Sequence, residues 1–163
     1  MISNLLIRTG IGYDSHCLVD GLKLIIGGVE VEFSKGSKGH SDGDALIHSI
    51  VDAMLGALSL GDIGKYFPSN HKKWKNISSS VFLEFAVEKI RSKGYEINNI
   101  DANIIIQKPK LFNYKTKIIK NISKIVKIKE SQVSVKAKTT DFLGFIGDGS
   151  GWSCQALVTL YKK

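Results

Sequence analysis

Three side chains in the first third of the chain have the types and the spacing of a metal site. Asp14 and His16 lie two positions apart in a segment expected to be extended, where such residues project to one face. His48 is expected about one turn inside a helix. One carboxylate and two imidazoles, here called the metal triad, can supply three ligands to Zn²⁺ and leave a fourth position open, as in catalytic sites. The spacing alone also allows a helix histidine that only pairs with nearby carboxylates.

The predicted helix carries a polar stripe that includes His48. Asp44 and Asp52 lie four residues before and after it, and one of them is expected to orient the imidazole through its second ring nitrogen. Ser41 and Asp44 form a capping-box pattern at the start of the helix. His40 is expected in the loop just before it.

Three glycine-rich loops are candidates for phosphate binding, because turns and helix starts offer backbone N–H groups to anions. They cover residues 39–43, 62–64 and 139–151. The hydroxyls of Thr139 and Thr140 could donate hydrogen bonds to phosphate oxygens, and Asp141 could hold Mg²⁺, which prefers oxygen ligands. Each loop taken singly is weak evidence, because glycine-rich loops are more often ordinary turns.

The elements that must position these groups follow from hydrophobic periodicity and turn residues. Strands are predicted over residues 5–12, 22–26, 29–33, 100–107, 133–137 and 152–161, with a loop at 35–39. Helices are predicted over residues 44–60, 80–93 and 113–126. Gly61 and Gly94 are expected to end the first two helices, and the run Ile104-Ile105-Ile106 predicts burial on both faces of its strand. The result is one domain, residues 1–163, with an α+β fold: a two-layer sandwich in which a mixed β-sheet is packed by about three helices.

Composition describes an ordinary globular domain of 163 residues with 43% hydrophobic residues. The net charge of +8 can reflect attraction to an anionic partner, or it can be a consequence of a Lys-rich composition with no electrostatic role. The sequence has no arginine-rich arm of the kind that indicates nucleic-acid binding. The sequence has no apolar run long enough to span a membrane and no signal-peptide pattern. Two distant cysteines, Cys17 and Cys154, fit a reducing compartment. A bacterial cytoplasm is expected, or a plastid stroma if a transit peptide was removed.

Four motifs occur in one order along the chain. They are RTGIGYDSH at 8–16, GHSDGDALIH at 39–48, GDIGK at 61–65 and Lys-Ala-x-Thr-Thr-x-x-Leu-Gly-Phe at 136–145. In these motifs the sequence resembles the 2-C-methyl-D-erythritol 2,4-cyclodiphosphate synthase family of the non-mevalonate (MEP) isoprenoid pathway, from Arg8 to Leu160. The resemblance implies a phosphorus–oxygen lyase that converts 4-diphosphocytidyl-2-C-methyl-D-erythritol 2-phosphate into the cyclic diphosphate and CMP.

The resemblance also implies the metals and the catalytic groups. The metal triad would bind Zn²⁺, which polarises the β-phosphate as a Lewis acid. A second ion, Mg²⁺ or Mn²⁺, would bridge the α- and β-phosphates at a position where the family has Glu and this chain has Asp141. His40 and Thr139 match the positions that stabilise charge on the phosphoryl oxygens. The substrate's own phosphate is the nucleophile.

Substrate contacts are implied in several segments. Ser41 and residues 62–64 would face the erythritol and its phosphate, and residues 67–71 would close over it. Residues 106–112 with 138–141 would form the cytidine pocket. The substrate-binding residues implied are Ser41, Asp62, Ile63, Gly64, Phe67, Pro68, Ser69, Asn70, His71, Ile106, Gln107, Lys108, Pro109, Lys110, Leu111, Phe112, Lys138, Thr140, Phe145 and Asp148.

The family assembles as a homotrimer with active sites between subunits, and in some members an apolar channel in the trimer binds isoprenoid diphosphates. After Phe145 the family commonly has Thr-Gly-Arg-Gly-Glu-Gly, where this chain has Ile-Gly-Asp-Gly-Ser-Gly. Asp148 and Ser150 thus replace an Arg and its paired Glu. We therefore expect weak or no binding of geranyl diphosphate.

Two other functions fit part of the sequence. A zinc-containing nucleic-acid-binding module would use the charge of +8, but a structural zinc site is closed and usually rich in cysteine. An inactive trimeric relative would keep the fold, but the metal triad, His40 and Thr139 are intact. The expected partner is therefore a phosphorylated, cytidine-linked metabolite, with no nucleic acid and no membrane.

Overall fold

The computed structural model describes residues 6–162, and within them a five-stranded mixed sheet carries helices on one face. The strands are β1 (Leu6–Asp20), β2 (Leu24–Ile26), β3 (Val29–Val31), β4 (Lys35–Lys38), β5 (Glu96–Ile105), β6 (Val133–Lys138) and β7 (Gly151–Lys162). The helices are α1 (Ala45–Ala57), α2 (Ile63–Tyr66), α3 (Ser80–Ser92), α4 (Lys115–Val126) and α5 (Gly144–Gly147). The predicted α+β fold is confirmed, and the four-residue helices α2 and α5 add to the three that were predicted.

The sheet has the strand order β4-β1-β7-β5-β6. Only β5 and β6 run parallel, and the other neighbouring pairs are antiparallel. The strands β2 and β3 form a separate antiparallel hairpin. The mixed character of the sheet is therefore confirmed as well.

Strand β1 is longer than predicted and passes directly through the metal triad. It pairs with β7 from Leu6 to Cys17 and then with β4 from Cys17 to Asp20. The predicted loop at 35–39 is wrong, because the exposed edge of β1 offers backbone hydrogen bonds to this polar segment and makes it a strand. The predicted first residue, Leu5, lies outside the described residues.

Two glycines of β1 allow α1 to lie directly on the sheet. A Cβ atom at Gly10 would come within 2.0 Å of the carbonyl oxygen of Ala53, and one at Gly12 within 2.0 Å of that of Ser49. Both glycines lie on the strand face that also carries the two strand residues of the metal triad, because every second residue of a strand projects to the same face. The contact of helix backbone with strand backbone thus brings the helix residue of the triad to the other two.

The ends of α1 differ from the prediction. Asp44, not Ser41, is the N-cap, and its carboxylate accepts a hydrogen bond from the N–H of Ile47 at 3.0 Å. Ser41 faces the metal triad instead. The helix ends at Ala57, before Gly61, and it is Ser59 that takes the left-handed conformation, with φ 55°. Gly61 belongs to the loop that leads to α2.

The core lies between the sheet and helices α1, α3 and α4. Ile104 and Ile106 are buried in it, but Ile105 is only half-buried, so the predicted burial on both faces is wrong. Helix α4 presents Ile118 and Ile122 to the core, as its 3.6-residue period predicted. No helix within residues 6–162 is long and apolar enough to cross a membrane.

The opposite face of the sheet has no covering layer among residues 6–162 and carries large apolar side chains. The exposed fractions are 60% for Ile7, 64% for Ile11, 56% for Tyr13 and 39% for Leu157. Ile11 and Leu157 are register partners on β1 and β7, so these side chains form a contiguous patch. A patch of this kind on a sheet face is typical of a protein–protein contact.

Candidate metal centre

The metal triad is assembled where β1 meets α1. The Oδ2 atom of Asp14 lies 3.0 Å from Nε2 of His16 and 2.9 Å from Nδ1 of His48. The two histidine nitrogens are 3.3 Å apart. All three side chains are half-buried, and their ligand atoms converge on one point. The sequence prediction that these residues come together is confirmed.

The donor set fits a small divalent cation. Ligand atoms at 2.0 to 2.1 Å from a tetrahedral ion are separated by about 3.3 Å, close to the 2.9 to 3.3 Å found here. His16 directs its other nitrogen, Nδ1, to the carbonyl oxygen of Lys38 at 3.2 Å, which leaves Nε2 for a metal. Two imidazoles and one carboxylate leave a fourth coordination position for a substrate oxygen.

Hydrogen bonds and charges within the metal triad shift the pKa values of Asp14 and His16. Burial favours the neutral form of Asp14, but the hydrogen bonds and charges of His16 and His48 outweigh it and hold the pKa of Asp14 well below its usual range. Burial also works to lower the pKa of His16, yet the hydrogen bond and charge of Asp14 raise that pKa above 6.5. The site therefore keeps a carboxylate ready to bind a cation.

The second nitrogen of His48 points away from the other two ligands of the triad. Its Nε2 atom lies 2.9 Å from Oγ of Ser79 and 3.1 Å from Oγ of Ser41. The hydroxyl of Ser79 in turn donates a hydrogen bond to the carboxylate of Asp42. Sequence analysis missed both Ser79 and Asp42, because the serine run at 78–80 indicated only the start of a helix.

The predicted orientation of His48 by Asp44 or Asp52 is wrong, because both carboxylates have other partners. Asp44 is fully buried and accepts hydrogen bonds from the N–H of Gly28 at 2.6 Å and from that of Ile47. Burial raises the pKa of Asp44 to about 6 against the opposing effect of these bonds. Asp52 accepts from the N–H at the start of α2 at 2.7 Å, and burial raises its pKa.

The predicted loop at 62–64 forms the start of α2. Asp62 is the N-cap of this short helix and accepts a hydrogen bond from the N–H of Lys65 at 3.0 Å. Ile63 donates its N–H to Asp52, which ties the segment to α1. Asp62, Ile63 and Gly64 thus have a fixed backbone next to the helix that carries His48.

The predicted substrate loop at 67–71 is anchored at one end and exposed at the other. The ring of Phe67 packs against that of Phe82, with centroids 4.4 Å apart, and the Phe82 ring lies 5.9 Å from that of His48. The far end contacts the loop before α1, since Nε2 of His40 lies 3.1 Å from the carbonyl oxygen of His71. The exposed residues of this loop therefore lie beside His40.

A groove of about 250 Å³ lies between the end of β6 and the segment before α4. It brings together most of the residues predicted for the cytidine pocket. Its lining residues are Ile106, Gln107, Pro109, Lys110, Leu111, Phe112, Lys115, Ala137, Lys138 and Thr139. Lys108 and Gln107 line an adjacent cavity of about 480 Å³ with Asp148.

The turn after β6 has a strained backbone next to this groove. Asp141 and Phe142 are consecutive non-glycine residues with φ of 53° and 65°. The left-handed conformation costs of order 1 kcal/mol for each, and such strain concentrates at functional sites. Thr140 stabilises the turn by donating its hydroxyl to the carbonyl oxygen of Leu143 at 2.7 Å. The turn leaves Thr139 and Asp141 exposed.

Asp148 and Ser150, the two residues that depart from the family pattern, are paired with each other. The Oδ1 atom of Asp148 accepts the hydroxyl of Ser150 at 2.5 Å and its N–H at 2.8 Å, and these bonds lower the pKa of Asp148. Phe145 is exposed beside them. This pair places a negative charge beside Phe145.

The fold and the site together define a class: an α+β domain with a three-ligand metal centre on a strand–helix junction and a separate groove at the sheet edge. A sequence model of the YgbB family matches residues 7–161. A relative from Clostridium kluyveri, 2-C-methyl-D-erythritol 2,4-cyclodiphosphate synthase, is 52% identical over 96% of this chain and 95% of its own length.

Two solved structures have the same fold. The IspF–CDP complex from Plasmodium falciparum has a TM-score of 0.85 and 44% identity, with 96% of this chain and 97% of that chain covered. The bifunctional IspDF from Campylobacter jejuni has a TM-score of 0.94 and 40% identity over 98% of this chain, which spans only 43% of that longer protein. The chain belongs to the YgbB family, the family of the 2-C-methyl-D-erythritol 2,4-cyclodiphosphate synthases. The resemblance found in its motifs is confirmed.

Proposed function

We propose that this protein converts 4-diphosphocytidyl-2-C-methyl-D-erythritol 2-phosphate into 2-C-methyl-D-erythritol 2,4-cyclodiphosphate and CMP. An oxygen of the 2-phosphate forms a bond to the β-phosphorus, and the bond from that phosphorus to the CMP oxygen breaks. The observation that carries the proposal is the metal triad, whose ligand atoms lie 2.9 to 3.3 Å apart in a chain of this family. The bacterial relatives favour a bacterial cytoplasm as the location.

The roles of the residues follow from where they lie. The metal triad would hold Zn²⁺, which when bound supplies a Lewis acid to a phosphate oxygen. His40, beside the exposed part of the substrate loop, would donate a hydrogen bond to a phosphoryl oxygen as charge develops there. Thr139 would do the same from the end of β6. Asp141 would hold Mg²⁺ or Mn²⁺ from the strained turn, where its carboxylate is exposed.

The substrate would span two subunits of a homotrimer. In one subunit, Asp14 of β1 and Ala137 of β6 lie in the same row of the sheet, three strand spacings or about 14 Å apart. If a neighbouring subunit supplied the groove, the cytidine could lie beside the metal triad without having to span the strands that separate the two sites within one subunit. The exposed apolar face with Ile7, Ile11, Tyr13 and Leu157 is a suitable contact surface for such an assembly.

The groove at the end of β6 would bind the cytidine. Leu111 and Phe112 line it with apolar side chains, and Lys110, which also lines it, would lie near the diphosphate. A relative with the same fold has been solved as a CDP complex, which supports this assignment. By contrast, Asp148 would repel a diphosphate at the channel mouth, so calorimetric titration with geranyl diphosphate should give weak or no binding. Tight binding would contradict that expectation.

Phosphorus NMR of the purified protein with this substrate, Zn²⁺ and Mg²⁺ tests the proposal. Equal amounts of CMP and a cyclic diphosphate are expected, with loss of turnover on chelation and recovery when the metals are returned. A matched reaction with Gly56→Ala should behave like the wild type, because Gly56 faces solvent on α1 and a methyl group added there would stand 4.0 Å from its nearest neighbouring atom. Full turnover in the presence of chelator, or hydrolysis to a linear product, would refute it.

A further inference from the structure

The side chain of Ser79 bridges the metal triad and a carboxylate that has no place in the proposed reaction. Ser79 is fully buried, and its Oγ atom lies 2.9 Å from Nε2 of His48. On its other side the hydroxyl donates to Oδ1 of Asp42. The three groups form a chain that runs from the half-buried Asp42 through Ser79 to the ring nitrogen of His48 that faces away from the other two ligands.

The hydroxyl of Ser79 does not make the capping hydrogen bond expected at its position. Ser79 occupies the N-cap of α3, where a serine hydroxyl ordinarily accepts a backbone hydrogen bond, yet it makes no such bond. The N–H groups of Val81 and Phe82 in the first turn bond to backbone carbonyl oxygens instead, and the Oδ2 atom of Asp42 accepts the N–H of Ser79 itself at 2.9 Å. The hydroxyl is thus left free for His48.

The direction of the hydrogen bonds follows from the chemistry of the groups. A carboxylate only accepts hydrogen bonds, and a serine hydroxyl has one hydrogen to give. That hydrogen points to Asp42, so the oxygen of Ser79 presents a lone pair to His48. The ring therefore donates from Nε2 to Ser79, with the Ser41 hydroxyl oxygen 3.1 Å away as a second and longer contact, and this leaves Nδ1 for the metal.

We propose that Asp42 and Ser79 are a positioning pair that binds the Nε2–H of His48 and thereby aims its Nδ1 at the metal. His16 has the opposite arrangement, because it donates from Nδ1 to the carbonyl oxygen of Lys38 and offers Nε2. The two histidines thus present different nitrogens, each selected by its own acceptor. This inference rests on the metal site of the proposed function but does not depend on the reaction.

Asp42→Asn is the sharpest test, because it changes hydrogen bonding and keeps the shape. Two backbone N–H groups that cannot rotate donate to Asp42, that of Ser79 to Oδ2 at 2.9 Å and that of Asp44 to Oδ1 at 3.3 Å. The side-chain oxygen of Asn would stay on the shorter bond, to Ser79, and the NH₂ would face the Ser79 hydroxyl. The hydroxyl then loses its acceptor and turns its hydrogen toward His48. The ring is pushed to the wrong tautomer for metal binding.

Zn²⁺ affinity is measured by competition with a chromophoric chelator for the wild type, Asp42→Asn, Ser79→Ala and the control Ser78→Ala. Loss of an outer-shell partner costs about 10- to 100-fold in affinity, and we expect this loss for the first two variants. Ser78 is exposed one residue away and makes no bond to His48 within the described residues, so Ser78→Ala should bind as the wild type does.

Imidazole N–H signals of the ¹⁵N-labelled, Zn²⁺-loaded protein separate positioning from folding. The wild type should show a protected Nε2–H for His48 and a protected Nδ1–H for His16. In Ser79→Ala the His48 signal should be lost or shifted while the His16 signal stays, which a general loss of structure would not produce. Unchanged affinity and an unchanged His48 signal in both variants would overturn the proposal. A wild type that binds Zn²⁺ but forms no cyclic product would refute the proposed function and leave the positioning pair standing.

Discussion

Gly12 is the residue where packing and metal binding are most directly coupled. Replacement by Ala would place a methyl group 2.0 Å from the carbonyl oxygen of Ser49 and 2.8 Å from the nitrogen of Ala53. Ordinary contact begins at 3.4 Å, so α1 must move by about 1.4 Å. His48 immediately precedes Ser49 and moves with the helix, whereas a metal site tolerates errors of about 0.2 Å. We expect overpacking to lower the free energy of unfolding by about 1–3 kcal/mol and Zn²⁺ affinity to fall about 100-fold.

The assay combines urea unfolding of the metal-free protein with Zn²⁺ competition for Gly12→Ala and for the control Gly56→Ala. At Gly56 the nearest atom, the carbonyl oxygen of Ile11, lies 4.0 Å from an added methyl group. Ala there should raise helix stability by up to about 1 kcal/mol and leave Zn²⁺ affinity unchanged. If Gly12→Ala bound Zn²⁺ with wild-type affinity, the contact between α1 and β1 would not set the geometry of the metal site.

Three further perturbations test other parts of the site. Burial raises the folded-state pKa of Asp44 to about 6, above its ordinary 3.8, so the free energy of unfolding should fall by roughly 3 kcal/mol as pH rises from 3.8 to about 6. Urea titrations of Asp44→Asn should lack this pH dependence, and an equal dependence in that variant would contradict the raised pKa of Asp44. His48→Ala should abolish Zn²⁺ binding and leave the assembly state seen by light scattering unchanged; undiminished zinc content would disprove its role as a ligand. Asp141→Ala should weaken the Mg²⁺ dependence of turnover more than zinc content, and equal loss of both would contradict separate sites.

The metal triad could be predicted from sequence because its signals are local. Two residues at spacing two in a strand, and one on a helix with clear apolar periodicity, need only one tertiary contact to meet. The glycines of β1 provide that contact, and a pair of glycines at spacing two in a strand is itself a sign of close backbone approach. The overall fold was predictable for the same reason, since its helices and central strands have regular hydrophobic periods.

What sequence analysis missed depends on contacts between distant segments. Lys35–Lys38 has the composition of a loop and becomes a strand only because the edge of β1 is available. Asp44 was expected beside His48, but it turns inward to the hairpin N–H of Gly28, sixteen residues away. Ser79 lies 31 residues from His48, and no local pattern relates the two.

Crystals grown with Zn²⁺ and CDP provide the most direct test of the central claim, that one metal triad and one cytidine groove form a single active site. Anomalous scattering at the zinc edge should give a peak bound by Asp14, His16 and His48, at about 2.0–2.2 Å from each ligand atom. The cytosine should lie in the groove of a neighbouring subunit, with its diphosphate reaching that peak. Zinc bound elsewhere, or CDP held away from the metal, would contradict the account.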